Sequence, residues 1–143
     1  MNARILAIAA ALLLAPPWDA SVAAEAGGDV LPATAWILED LAGAGVVDRV
    51  QATLEFPAQG RASGNGSCNH FSADVTLDGE RIGFGAIAAT RRSCPEAVMN
   101  QESAYFTALE KAERFETDGE NLYVYIAENP QPLRFTRLRH TKP

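Results

Sequence analysis

The chain has few of the residues that metal and nucleophile chemistry require. Its 143 residues include only two cysteines, Cys68 and Cys94, and two histidines, His70 and His140. A zinc site needs three or four ligands at suitable spacing, and this sparse set does not supply them. A cysteine nucleophile needs a base that a third group orients, and His70 is poorly placed for that role. We therefore predict no metal, no cofactor and no catalytic residue, with a metal site and a catalytic cysteine kept as weaker alternatives.

Long apolar runs are also missing, except near the first residue. Arg4 precedes an apolar run over residues 5–15, which is too short to span a bilayer. Small residues at Val22 and Ala24, or at Ala24 and Ala26, then fit the spacing that signal peptidase recognises. The pattern predicts a secretory signal peptide over residues 1–24, with no nearby cysteine to carry a lipid anchor. We expect a periplasmic or extracellular protein that does not span the membrane.

Positive charge is scarce as well, because 12 Lys and Arg stand against 18 Asp and Glu and the formal net charge is -6. This balance argues against nucleic acid or an anionic membrane surface as a partner. A dinucleotide-type phosphate loop is not predicted either, since the segment IGFGAI (82–87) lacks the third glycine of that motif. We expect the partner to be an unknown protein or small ligand of the cell envelope, bound by a monomer.

The sequence does contain a series of short alternating segments. Residues 70–77, HFSADVTL, alternate apolar and polar side chains as a half-buried strand does. Asp78-Gly79 follows and is a strong signal for a two-residue hairpin. Residues 121–126, NLYVYI, place two tyrosines on the face opposite the aliphatic residues. Four or five strands, one helix and three further strands predict an α+β fold that is mainly β. We expect a small curved or barrel-like antiparallel sheet with one packed helix.

The hydrophobic period changes to that of a helix after Pro95. Between residues 96 and 112 the apolar residues on one helical face are Val98, Met99, Tyr105, Phe106, Leu109 and Ala112. Glu102 lies near the centre of this stripe, where a buried carboxylate needs partners. We expect Glu102 to accept hydrogen bonds from loop backbone or to pair with Arg91 or Arg92. A role as a functional acid is the alternative.

The two cysteines are most simply explained as a disulfide. An exported chain meets an oxidising compartment, where an even number of cysteines favours a bridge. Closing a loop of about 27 residues would stabilise the fold by roughly 3.5 kcal/mol in the chain-entropy model. Because Cys68 precedes a predicted strand and Cys94 precedes the predicted helix, the bridge would pin the start of that helix to the entry of that strand.

Several short motifs, taken in order, resemble one known family. They are SCNHF (67–71), FGAIAATRRSC (84–94), ESAYFTALEKA (102–112), GENLYVYI (119–126) and LRFTRL (133–138). Together they resemble the META domain, the family of the bacterial heat-inducible protein HslJ. The resemblance extends over residues 34–138, between a linker at 25–33 and a tail at 139–143.

The resemblance is most specific around the cysteines. Both cysteines, Asn69 and Thr90 match the pattern common in the family, whereas Ser67 stands where the family commonly has glycine. The family pattern also tends to place a glutamate at the position of Glu102, which fits a brace for the SCN loop. The resemblance implies a small β-rich α+β domain with a curved antiparallel sheet and a packed helix, and it implies no established catalytic activity.

The family is associated with cell-envelope stress, antibiotic tolerance, secretion or motility. We therefore predict an exported, non-enzymatic META-domain protein that acts as an envelope-stress or binding module. An inhibitor of an extracellular enzyme of the lysozyme or protease type is one alternative, and a small-ligand carrier is another. Beside the cysteines, the candidate structural or binding residues are Asn69, Thr90, Arg91, Arg92, Glu102, Tyr123 and Tyr125.

Overall fold

The computed structural model describes residues 30–139. The predicted signal peptide, most of the predicted linker and the tail after Arg139, with His140, lie outside the described residues. The elements in chain order are β1 (Thr34–Asp40), β2 (Thr53–Ala58), β3 (Arg61–Asn65), β4 (His70–Asp78), β5 (Arg81–Phe84), β6 (Ala88–Ala89), α1 (Glu96–Glu110), β7 (Ala112–Thr117), β8 (Asn121–Ile126) and β9 (Leu133–Arg137). No helix within residues 30–139 is both long enough and apolar enough to cross a membrane.

The strands close into an antiparallel barrel of eight. Their order is β3-β2-β1-β9-β8-β7-β5-β4, and β4 pairs back onto β3. Closure removes the free edges that an open sheet would carry. The short β6 adds to β4 beyond the end of β5. The predicted fold class, mainly β with a barrel-like antiparallel sheet and one helix, is confirmed. The number of strands before the helix is six, rather than the predicted four or five.

The predicted alternation of β4 explains how the barrel separates its two faces. Phe71, Ala73 and Val75 are buried, and the residues between them face outward. The hairpin to β5 forms as predicted, with Asp78 paired to Arg81. A period of two along the chain therefore gives one apolar face, which the barrel encloses.

Large side chains fill the barrel interior. The largest fully buried ones are aromatic: Trp36, Tyr105, Phe56, Phe115 and Phe135. Burial of a side chain such as Phe contributes about 1.5–3 kcal/mol relative to exposure. Tyr105 enters from the helix and meets Phe71 edge to face, with 5.9 Å between the ring centroids. The helix is thus part of the core rather than an attachment to its surface.

The two halves of α1 face different surroundings. The second half buries Tyr105 and Leu109 in the core. The first half buries Gln101 and Glu102, whereas Met99, which was predicted to be on the buried stripe, is exposed. The prediction is wrong for Met99, because this half of the helix turns Gln101 and Glu102 toward the backbone N–H groups of two loops. Those groups need acceptors, which apolar side chains cannot provide.

Candidate functional site

The disulfide predicted from the cysteine count is present. Cys68 and Cys94 are bonded, with 6.0 Å between their Cα atoms, and they leave no free cysteine. Cys68 lies in the turn between β3 and β4, and Cys94 precedes Pro95, the N-cap residue of α1. The bridge therefore fixes the turn to the segment that leads into the helix. No group of three or more His, Cys, Asp or Glu within residues 30–139 could hold a metal ion.

Glu102 braces the turn that carries the cysteine. Its side chain reaches from the buried face of α1, and the residue is only 5% exposed. One carboxylate oxygen accepts hydrogen bonds from the backbone N–H of Cys68 at 2.8 Å and of Asn69 at 2.6 Å. The predicted contact with loop backbone is confirmed, and the predicted alternative of a salt bridge to Arg91 or Arg92 is wrong.

Asn69 connects Glu102 to the loop that precedes the helix. Its side-chain amide donates to the second oxygen of Glu102 at 2.7 Å. Its side-chain oxygen accepts from the backbone N–H of Arg92 at 2.6 Å and from the hydroxyl of Thr90 at 3.0 Å. An asparagine side chain has two donors and one oxygen with two lone pairs, and here one residue uses both kinds of group to join two elements.

We call residues 90–93 the arginine loop, because Arg91 and Arg92 are at its centre. Two further bonds join its first residue to β4: the N–H of Thr90 donates to the carbonyl of His70 at 3.0 Å, and the N–H of His70 donates to the Thr90 hydroxyl at 3.2 Å. The disulfide follows at residue 94. The backbone of the arginine loop is therefore held at both ends and at Arg92.

The two arginine side chains of the arginine loop, Arg91 and Arg92, are exposed although the loop backbone is held. The ion pairs among residues 30–139 join Arg61 to Asp74, Arg114 to Glu116, and Arg139 to Glu120, and none of them includes the two loop arginines. The site thus presents two guanidinium groups, without an acidic partner in the described part of the chain, on a protein of net charge -6.

The turn before Cys68 is tightly packed and strained. Ser67 has a φ of 119°, a backbone conformation that favours glycine, and it stands where the family resemblance predicted glycine. Its hydroxyl accepts a hydrogen bond from the side-chain amide of Gln101 at 2.9 Å. Beside it, a Cβ on Gly66 would lie 2.4 Å from a ring carbon of Phe106. Helix and turn therefore meet closely enough that only glycine fits at position 66.

The sequence reasoning did not identify Gln101 as part of this site. Its side-chain oxygen accepts from the N–H of Val47 at 2.6 Å, and its amide donates to Ser67. Gln101 therefore ties the long β1–β2 loop to the same turn that Glu102 braces. The available signal was its position directly before Glu102, within a run of four polar residues (100–103) between the apolar residues of the helix.

Tyr123 and Tyr125 do not belong to this site. Both lie on β8, which β7 and β5 separate from β4 in the sheet, and both are half-buried on the outer face. The guanidinium of Arg114 stacks on the ring of Tyr125, 3.7 Å from its centroid. Their inward neighbour Val124 is fully buried. The alternation predicted for this strand is confirmed, and its tyrosines form a separate surface.

The buried polar groups of the site are engaged within the protein. The buried groups of the site, Glu102 and Asn69, have all their buried polar atoms hydrogen-bonded within the protein. Both cysteines are consumed in the bridge. What the site offers to another molecule is the exposed surface of the arginine loop, whose position the buried groups determine.

The comparisons with known proteins agree with this fold. The family model of the META domain matches residues 29–139. The fold resembles that of a protein from Burkholderia xenovorans solved by NMR, with 24% sequence identity, a TM-score of 0.65, and coverage of 79% of this chain and 87% of that one. A second NMR structure gives 21% identity, a TM-score of 0.62, and coverage of 76% and 92%.

A crystal structure of a DUF4847 family protein from Bacteroides vulgatus is similar at 13% identity, with a TM-score of 0.59 and coverage of 76% of this chain and 94% of that one. At these identities the solved structures show the shared fold alone. No curated protein matches the chain significantly. Since the family model covers all of the described residues, the chain belongs to the META-domain family.

Proposed function

We propose that this META-domain protein is an exported, non-enzymatic binding module of the cell envelope, which contacts its partner through the arginine loop. The observation that carries the proposal is the contrast between backbone and side chains in that loop. The backbone is fixed by Asn69, Thr90 and the disulfide, while Arg91 and Arg92 are exposed and form no ion pair within residues 30–139.

A fixed loop of this kind binds more tightly than a mobile one of the same composition. Ordering a flexible segment on binding costs free energy, and a segment that is already ordered avoids much of that cost. Arginine is also enriched among the residues that contribute most to protein interfaces. The disulfide, the Glu102 brace and the two exposed arginines together therefore support a binding role, and the family's association with envelope stress gives that role its context.

In-cell cross-linking tests the proposal. A photo-reactive amino acid is placed at exposed Ser93 in the arginine loop, and at exposed Thr76 on the outer face of β4 as the matched control. We expect one discrete adduct from Ser93 in the envelope fraction, lost when R91E and R92E are added, and no such adduct from Thr76. Equal labelling from both positions, or an adduct that survives R91E/R92E, would contradict it. So would an enzymatic turnover that E102A abolishes in a folded protein.

A second candidate is an inhibitor of an extracellular enzyme. Its specific support is again the pre-ordered, exposed loop closed by a disulfide, since a rigid loop can occupy an active-site cleft with little loss of entropy. Assays of purified lysozymes and proteases with the disulfide-bonded protein, with R91E/R92E as the control, decide between the two. The third alternative, a small-ligand carrier, has less support because Trp36, Tyr105 and other large side chains fill the barrel interior.

A further inference from the structure

The two-residue strand β6 presents one side of its backbone to solvent. Ala88 and Ala89 pair with Ser72 and Phe71 of β4, and within residues 30–139 no strand pairs with the other side. The N–H of Thr90 donates to the carbonyl of His70 on β4. Because the direction of backbone groups alternates along a strand, the N–H and C=O of Ala89 face away from β4.

The side chains around this edge leave room for a second backbone. Gly85, Ala86, Ala88 and Ala89 are all exposed and small. An unpaired strand edge is a template for another strand, and charged side chains and proline are among the means that proteins use to block it. Here the edge itself carries neither, so an extended segment can approach to hydrogen-bonding distance.

Charge next to the edge indicates the chemistry of the segment that would bind. Arg91 and Arg92 follow β6 directly and have no ion-pair partner within residues 30–139. Glu96, in the first turn of α1, is an exposed acidic group close by in sequence, and Asp74 on β4 is already paired with Arg61. Two exposed arginines therefore follow the edge within three residues of Ala89, and carboxylates of an incoming strand can pair with such groups.

We infer that β6 is the docking edge for an extended acidic segment of a partner protein, which adds as a strand beside Ala88–Ala89 and places its carboxylates on Arg91 and Arg92. This deepens the proposed function and rests on it. Main-chain hydrogen bonds to Ala89 would supply affinity, as in other cases of strand addition, and the arginines would supply the preference for acidic sequence.

Selection from a random decamer library displayed on phage, against disulfide-bonded residues 25–143, provides the test. We expect the enriched peptides to be acidic and free of proline. Synthetic versions should shift the NMR signals of residues 86–92, and their Kd should rise about tenfold or more in R91E/R92E, the scale of a strong interface residue. The charge-matched control R81E/R134E, at exposed arginines elsewhere, should leave Kd nearly unchanged.

The strand geometry is tested separately from the charge. A89P removes the outward N–H without removing a bond to β4, and we expect it to abolish peptide binding, whereas A89T keeps the N–H and the binding. A peptide methylated on its central backbone nitrogen should also fail, which tests pairing without any change to the protein. Enrichment of neutral or basic peptides, or binding that A89P and N-methylation leave intact, would overturn the inference.

A further outcome is self-association, in which size-exclusion chromatography shows a dimer that A89P dissociates. That result would replace the acidic partner with a second copy of the chain and so overturn the inference too. Failure of the strand-addition inference can be distinguished from failure of the proposed function. If the Ser93 cross-link persists in A89P, the arginine loop still binds a partner and strand addition alone is wrong.

Discussion

The Glu102 carboxylate accepts hydrogen bonds from both nitrogens of Asn69, from the backbone N–H at 2.6 Å and from the side-chain amide at 2.7 Å. Both residues are at most 5% exposed, so water cannot replace either bond. Asn69 in turn holds the N–H of Arg92. The arginine loop therefore depends on a helical residue that forms no ion pair with Arg91 or Arg92.

Replacement of Glu102 by glutamine should destabilise the protein strongly. Glutamine keeps the shape of the side chain but carries no charge. In either orientation of its amide, the NH2 group faces an N–H donor of Cys68 or Asn69, which is then left without an acceptor. Hydrogen bonds to charged groups contribute about 1.5–3 kcal/mol each, so we expect E102Q to lower the free energy of unfolding by about 2–4 kcal/mol. Urea unfolding of the oxidised protein measures this.

E110Q is the matched control for that substitution, because Glu110 is an exposed glutamate on the same helix. It should change the free energy of unfolding by less than about 0.5 kcal/mol, as is usual for surface positions. Equal effects of E102Q and E110Q would show that Glu102 does not brace the turn.

The protein should be more stable with glycine than with alanine at position 67. S67A loses the bond to Gln101 and keeps a side chain at a φ of 119°, whereas S67G loses the bond but relieves the backbone. Strain of this kind costs about 1–3 kcal/mol. We therefore expect the free energy of unfolding, measured by thermal unfolding, to be about 1 kcal/mol higher for S67G than for S67A. At Ser63, inside β3, the order should reverse, because glycine weakens a strand interior. The same order at both positions would contradict strain at Ser67.

The parts of the fold that depend on local sequence pattern could be predicted from the sequence. The alternation of β4, the Asp78-Gly79 hairpin and the buried Glu102 were all predicted, since each is visible within a few neighbouring residues. The disulfide followed from the number of cysteines and the expected compartment. Asn69 and Thr90 were selected by family resemblance alone, and their roles became clear only when the turn and the arginine loop were seen side by side.

Features set by distant parts of the chain were missed. β3 has the sequence RASGN, in which only Ala62 is a buried apolar residue, and it is a strand because β2 and β4 both pair with it. The orientation of the first half of α1 depends on the loops that it meets, so Gln101 is buried and Met99 is not. No local period records such contacts.

Tyr105 should make the protein sensitive to alkaline pH. It is fully buried, and burial raises the pKa of its phenol well above the ordinary value. Below about pH 10 the phenol is protonated in both states, and above it the unfolded chain ionises while the folded one does not. We therefore expect the free energy of unfolding to fall as pH rises from about 10 toward the folded pKa.

In Y105F the free energy of unfolding should not show this part of the fall at alkaline pH. At neutral pH it should be about 1 kcal/mol lower than in the native protein, because the hydrogen bond from Tyr105 to the carbonyl of Thr53 is lost. Y123F, on the outer face, is the control and should keep the fall. Urea unfolding at a series of pH values measures the difference, and parallel curves for the native protein and Y105F would contradict the expectation.

Loss of the disulfide should weaken the fold without releasing the turn. The two cysteines are 26 positions apart in sequence, and the chain-entropy model assigns the loop that they close roughly 3.5 kcal/mol. We expect C68A/C94A to lose about that much and still to fold, because Glu102 holds the turn independently. Mass spectrometry with thiol alkylation should find no free thiol in the native protein and two after reduction. A free thiol before reduction would disprove the bridge.

Hydrogen exchange at four consecutive amides, residues 89–92, tests most directly whether the buried network fixes the arginine loop. The N–H groups of Thr90 and Arg92 donate to His70 and Asn69, whereas those of Ala89 and Arg91 have no acceptor within residues 30–139. We predict slow exchange at Thr90 and Arg92 and fast exchange at Ala89 and Arg91. In E102Q the amide of Arg92 should exchange fast as well. Fast exchange at all four amides would show a mobile loop and contradict the fixed geometry on which the proposed binding role depends.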